Sequence, residues 1–302
     1  MKPGAPAPTA ELDRPAAPYK TAVIDEAIAR YGLRSVVDLG GCWGVNGAYT
    51  FHALNRGELD RAVIVDGQIT RLTRERAATR PQLELLEAPL GTAETVERIG
   101  KVDGAIMYDV LLHQVDPDWD QFLRRWSDVD TLIICNQNWL GPQTVRFADW
   151  DVEEYLRRVL HGNENRIRQW YAVHDQWNQE QGKPWRDVYN FWQWGITTKD
   201  LVGVLWDLGY RIDYLFNHGE FNPQFPEVEA ITLLARKRHL PQPRTDFPTL
   251  AAPPAKPGIE AAASALSIRE AISAVAAGGA ALARRFAGAV RRGAHSRRRL
   301  RG

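Results

Sequence analysis

The stretch "SVVDLGGCWGVNGAYT", Ser35 to Thr50, decides the reading of the fold. An apolar run ends in an acid, Asp38. Gly40, Gly41, Gly44 and Gly47 follow, and then a helical pattern begins. The first N–H groups of a helix have no intrahelical partner, and glycines before them allow close approach and positive φ. Such a turn suits any nucleotide-like ligand. The spacing narrows the choice. The glycines never fall in the GxGxxG register, and the P-loop pattern GxxxxGK[ST] is absent. A carboxylate at Asp38 would meet a cation rather than a phosphate, so a ligand with an ammonium group and an adenosine would satisfy both ends of the site.

Outward from this stretch, short β-branched runs at 35–39, 62–66, 83–86, 104–109 and 131–135 alternate with helical stretches at 21–31, 45–55, 68–79, 91–99 and 118–126. After a further helix at 198–208 come runs at 211–216 and 230–235. Near-continuous apolar strands alternating with helices predict a parallel, doubly wound α/β sheet covered on both faces. The last two strands are joined by "NHGEFNPQFPEVE", too short for a crossover helix, which predicts an antiparallel pair. The expected organisation is a flexible N-terminal tail over 1–19 and a domain over 20–238. A Pro-rich linker over 239–258 and an Ala/Arg-rich helix with a basic tail over 259–302 complete it.

At these residues the chain resembles the class I S-adenosylmethionine-dependent methyltransferase family. In that family the first strand ends in an acid followed by acid-x-Gly-x-Gly-x-Gly, which holds the methionine portion of the cofactor. Here Asp38, Gly40 and Gly44 match, Cys42 replaces the middle glycine, and the neighbouring Gly41 is expected to relieve the turn in its place. The resemblance implies that Asp66 and Gly67, ending the second strand in "AVIVDG", bind the ribose hydroxyls; two acceptor oxygens suit a vicinal diol. It also implies Glu87 and Ala88 beside the adenine, with Met107, Tyr108 and Asp109 lining the adenine and transfer sites. The implied fold is a Rossmann-like seven-stranded sheet with an antiparallel last strand, and the implied cofactor is S-adenosyl-L-methionine.

Methyl transfer relies mainly on positioning, with a base where the nucleophile carries a proton. His113, after the fourth strand on the ligand-bearing edge, is the first candidate base. His174, beside Asp175, is the second. No NPPY-like tetrapeptide follows the fourth strand, which weighs against adenine and glutamine N-methylation. Residues 139–195 form an insertion where the family builds a substrate lid, and it holds seven of the chain's eleven tryptophans. Its interleaved charges suggest a polar small molecule or glycan as acceptor, although tryptophans of this kind also build a satellite core. Asp109, Asn136 and Asn138 make a poor metal set, and no metal is predicted.

The chain's net charge is +1, yet the last 19 residues hold eight arginines and no acid. The rest carries 30 basic against 37 acidic side chains, a net of −7. The tail fits an anionic membrane surface, or less well RNA, and a merely solubilising extension has the same composition. Two cysteines, no signal-like h-region and no long apolar run predict a cytoplasmic protein, with peripheral membrane attachment as a variant. Three rival readings stand beside an O-methyltransferase. They are an RNA methyltransferase aided by the tail, an NAD(P)-binding Rossmann oxidoreductase and a non-catalytic methyltransferase-fold scaffold.

Overall fold

A computed structural model describes residues 13–159, 164–179, 182–187, 192–221 and 225–241. All seven expected strands form: β1 (Ser35–Leu39), β2 (Arg61–Asp66), β3 (Leu83–Glu87), β4 (Gly104–Tyr108), β5 (Thr131–Trp139), β6 (Tyr210–Glu220) and β7 (Val228–Lys237). The helices are α1 (Pro18–Tyr31), α2 (Ala48–Asn55), α3 (Arg71–Ala77), α4 (Ala93–Ile99), α5 (Trp119–Arg125), α6 (Val152–Arg158), α7 (Glu164–Tyr171) and α8 (Thr198–Asp207). Of these, α6 and α7 belong to the insertion.

The strands make one sheet in the order β6-β7-β5-β4-β1-β2-β3. Neighbours from β3 through β5 pair in parallel, and β7 runs antiparallel to both β5 and β6. The order reverses between β1 and β4, and ligands of open α/β sheets bind at the carboxyl ends of strands at such a reversal. This is the Rossmann-like doubly wound sheet with an antiparallel last strand that the sequence implies.

Alternation along each strand builds two cores. Val37, Leu39, Val63, Val65, Met107, Leu132 and Ile134 pack against Phe122 and Leu123 of α5 and Leu201 and Leu205 of α8. Val36, Ala62, Ile64, Ile106, Tyr108, Ile133 and Cys135 face α1 and α2. Met107 and Tyr108 thus belong to these cores, one on each face of β4. Both are under 10% exposed, and the Tyr108 hydroxyl donates to the Lys20 carbonyl at 2.7 Å.

Two boundaries differ from the sequence reading. The first helix begins at Pro18, and residues 13–17 already lie against the glycine turn, so the structured domain starts ahead of residue 20. Strand β5 continues to Trp139 because its last residues pair with β7, Asn136 with Ile231 and Trp139 with Val228. Residues 1–12 and 242–302, which hold most of the expected tail and linker and all of the basic C-terminal region, lie outside the described residues. Among the described residues no helix is long and apolar enough to cross a membrane.

The insertion has its own core. Trp139, Phe147, Tyr155, Ile167, Trp170 and Trp192 pack with Phe225 and Val228. Trp177, at 56% exposed, is the tryptophan of the insertion most open to solvent.

Candidate functional site

The glycine turn begins as Gly40 N–H donates to the Val65 carbonyl of β2 at 2.8 Å, and it closes as Gly47 N–H donates to the Gly41 carbonyl at 2.8 Å. Side-chain-free positions are needed for two separate reasons. At Gly44 the backbone has φ +70°, a conformation L side chains rarely adopt. At Gly41 the need is space, since a Cβ there would stand 2.5 Å from Asp38 Oδ2. Cys42 has neither constraint. It is fully buried in the α1/α2 core, and burial pushes its thiol up to about 12, so it is an inert packing residue.

Asp38 is 2% exposed and tucked beneath the turn, where it accepts the Thr50 hydroxyl of α2 at 2.6 Å. Burial pushes its carboxyl up to about 7; the Thr50 bond and Lys20 oppose that rise, and Asp66 adds to it. Asp66 ends β2 and is only half-buried. Its Oδ2 accepts Cys42 N–H of the turn at 2.9 Å and its Oδ1 accepts Gln68 N–H at 3.1 Å. Burial raises its pKa, partly offset by backbone N–H groups from Gln68, Cys42, Trp43 and Gly67. Each oxygen retains capacity for a further donor. A Cβ at Gly67 would meet nothing within 4 Å, so the space beside Asp66 is open there. Glu87 is the register partner of Asp66 on β3; its Oε2 accepts Ile69 N–H at 3.2 Å and pairs with Arg74 at 2.5 Å. Ala88 N–H donates to the Asp66 carbonyl at 3.0 Å.

At the end of β4, Asp109 has φ +55°. Its carboxylate is clamped by Lys20 Nζ and by Gln137 Nε2 of β5, each at 2.5 Å. Lys20 is 5% exposed, with its ammonium 5.2 Å from the ring centre of Tyr108 and 5.7 Å from that of Tyr49. Burial would push Lys20 down, but Asp109 outweighs it and the pKa is raised well above its ordinary value. The glycine turn, Asp38, Asp66, Glu87, Ala88 and Asp109 thus gather along the carboxyl ends of β1 to β4.

The two histidines sit on different elements. His113 closes the short 3-10 turn Leu111–His113 just after β4, where Gln193 N–H of the insertion donates to the Leu112 carbonyl at 2.9 Å. His174 belongs to the insertion: its Nδ1 donates to the Tyr171 carbonyl at 3.0 Å, and it packs beside Trp170 and Tyr171. It lines a surface cleft of about 630 Å³ with Trp150, Arg168 and Tyr171. A second cleft, about 470 Å³, lies among Asp116, Asp118, Arg146, Trp177, Lys183 and Asp187. Among the described residues no group of three or more His, Cys, Asp or Glu is arranged to hold a metal. Asn136 and Asn138 bond to each other at 2.8 Å, and Asn138 donates to Thr198 at 2.9 Å.

Arg14, Lys20, Thr50 and Gln137 were not anticipated as parts of the site. Lys20 left a trace, because it occupies the same helical stripe as Val23, Ile24, Ala27 and Ile28 and is its one charged member.

Among solved structures the chain is similar to the N-terminal domain of EvdMO1 in the presence of SAH and D-fucose, with 13% identity, 74% of this chain and 84% of that chain covered, and a TM-score of 0.47. It is also similar to the 1,6-didemethyltoxoflavin-N1-methyltransferase of Burkholderia thailandensis with S-adenosylhomocysteine bound, at 14% identity, 72% and 78% coverage and a TM-score of 0.45. A third likeness is to the SAH-bound magnesium protoporphyrin IX methyltransferase of Synechocystis, at 14% identity, 72% and 81% coverage and a TM-score of 0.44. No family model matches the sequence, and no curated protein does.

Proposed function

We propose that the chain is a methyltransferase that uses S-adenosylmethionine and methylates an oxygen of a polar small molecule or glycan. The observation that carries this reading is the position of Asp66. It ends β2 beside the strand-order reversal, with open space at Gly67 and a carboxylate already joined to the glycine turn. The residues present fit the cofactor. Asp66 would take the ribose hydroxyls, backbone N–H groups of the turn would take the methionine portion, and Asp38 would supply negative field from beneath. Glu87 and Ala88 stand one strand further, toward the base.

When bound, the cofactor supplies an electrophilic methyl group on sulfur. The chain's own work is to hold the acceptor oxygen in line and remove its proton, and we assign that proton to His113 because it follows β4 at the same sheet edge. The cleft among Asp116, Asp118, Arg146, Trp177 and Asp187 supports a polar acceptor, since carboxylates and an exposed indole suit hydroxyl-rich rings. Titration calorimetry with S-adenosylhomocysteine tests the reading. The wild type is expected to bind it and not NADH, and Asp66→Ala to weaken binding about tenfold or more. His113→Ala is expected to keep the affinity and lose turnover. Binding that is indifferent to Asp66→Ala would remove the basis of the proposal.

A further inference from the structure

Residues 13–17 form one wall of the glycine turn. Arg14 N–H donates to the Gly44 carbonyl at 3.2 Å, and Asp13 accepts Asn46 Nδ2 at 3.3 Å and Arg76 Nη2 at 2.8 Å. The Arg14 guanidinium lies on Gly44 itself: a Cβ there would stand 3.0 Å from Nη2 and 3.4 Å from Cζ. Its Nε and Nη2 are buried and donate no hydrogen bond. Buried donors are nearly always paired, and an unmet charged donor is costly. The carboxylate whose charge acts on Arg14 is Asp109, and its two oxygens are already engaged by Lys20 and Gln137. The arginine therefore presents two adjacent donors at the turn without an acceptor. A planar fork of that kind matches a carboxylate in bidentate geometry.

We infer that Arg14 holds the α-carboxylate of the amino-acid half of the ligand, so that the segment ahead of α1 is part of the binding site. This rests on the proposed cofactor. It also gives Gly44 a second role, because a side chain there would occupy the place of the guanidinium.

The test titrates the full chain with two ligands. S-adenosylhomocysteine carries the amino-acid half, and 5′-methylthioadenosine keeps the adenosine and thioether without it. Arg14→Gln is expected to weaken S-adenosylhomocysteine binding about tenfold or more and to leave 5′-methylthioadenosine unchanged. Arg14→Lys keeps the charge but not the fork. It should weaken the first ligand by a smaller factor and spare the second, and it serves if the Gln variant fails to fold. Unchanged S-adenosylhomocysteine affinity in both variants would overturn the role of Arg14 and leave the cofactor reading standing. Equal loss for both ligands would overturn it as well, marking the arginine as structural. Failure of the wild type to bind S-adenosylhomocysteine would bring down the cofactor reading and this inference with it.

Discussion

Asp38 shows how one carboxyl can serve two demands. It stands where the sequence places it, at the end of an apolar strand before a glycine turn, yet it is nearly sealed from water and held by a hydroxyl rather than a cation. Its folded pKa of about 7 lies above the ordinary value of about 3.9 for aspartate. The unfolded chain therefore releases this proton first as pH rises. Stability associated with Asp38 is full below about pH 4 and is lost as pH climbs to about 7. Asp38→Asn removes that dependence. The expected outcome is that the melting temperature of Asp38→Asn, relative to wild type at the same pH, rises between pH 4 and pH 8. A constant difference would mean that Asp38 titrates normally in the folded protein. Asp38 and Asp66 were legible because each ends a β-branched run and precedes a turn. Arg14 was not, because its meaning depends on contact with Gly44, and nothing in the local pattern of "ELDRPAAPYK" announces such contact.

Among the elements, the strands were the most legible, because burial on both faces writes continuous apolar runs. Helix boundaries and the end of β5 were less so. The segment "NQNW" carries amides where a buried strand normally carries apolar side chains. It remains a strand because its backbone pairs with β7 and its amides are tied through Thr198, which donates to Glu229 at 3.0 Å. Helix α1 hides a similar long-range link: Lys20 and Asp109, 89 positions apart, join the helix to the end of β4. Removing one member of a buried ion pair leaves the other uncompensated. Lys20→Met is expected to cost about 3 kcal/mol, the lower end of the usual range because the Asp109 side chain is 31% exposed. Asp109→Asn in the same background should recover most of it. Urea unfolding of the two single variants and the double variant measures the coupling, and additive losses would show that the pair is not what holds α1 to the strand.

At the scale of the whole molecule, the insertion is continuous with the sheet. Trp139 ends β5 and stacks edge-on to Phe147 of the insertion at 5.3 Å, while Val228 of β7 joins the same core. The Tyr155 hydroxyl donates to the Trp192 carbonyl at 3.1 Å, closing the core over α6. The sequence revealed the insertion through its density of tryptophan but not its architecture, because the packing partners come from distant strands. A shared core should melt with the sheet. Phe147 is 1% exposed, and Gly195 packs so closely on its ring that a Cβ there would stand 2.4 Å away. Phe147→Ala opens a cavity beside a backbone that has little room to settle, and its expected cost is about 3–5 kcal/mol. Because Phe147 reaches the sheet through Trp139, that loss should lower one cooperative calorimetric transition. Two separated transitions, with only the lower one moved by Phe147→Ala, would instead mark the insertion as a unit that opens independently of the sheet, with Trp139 too weak a tether to couple them.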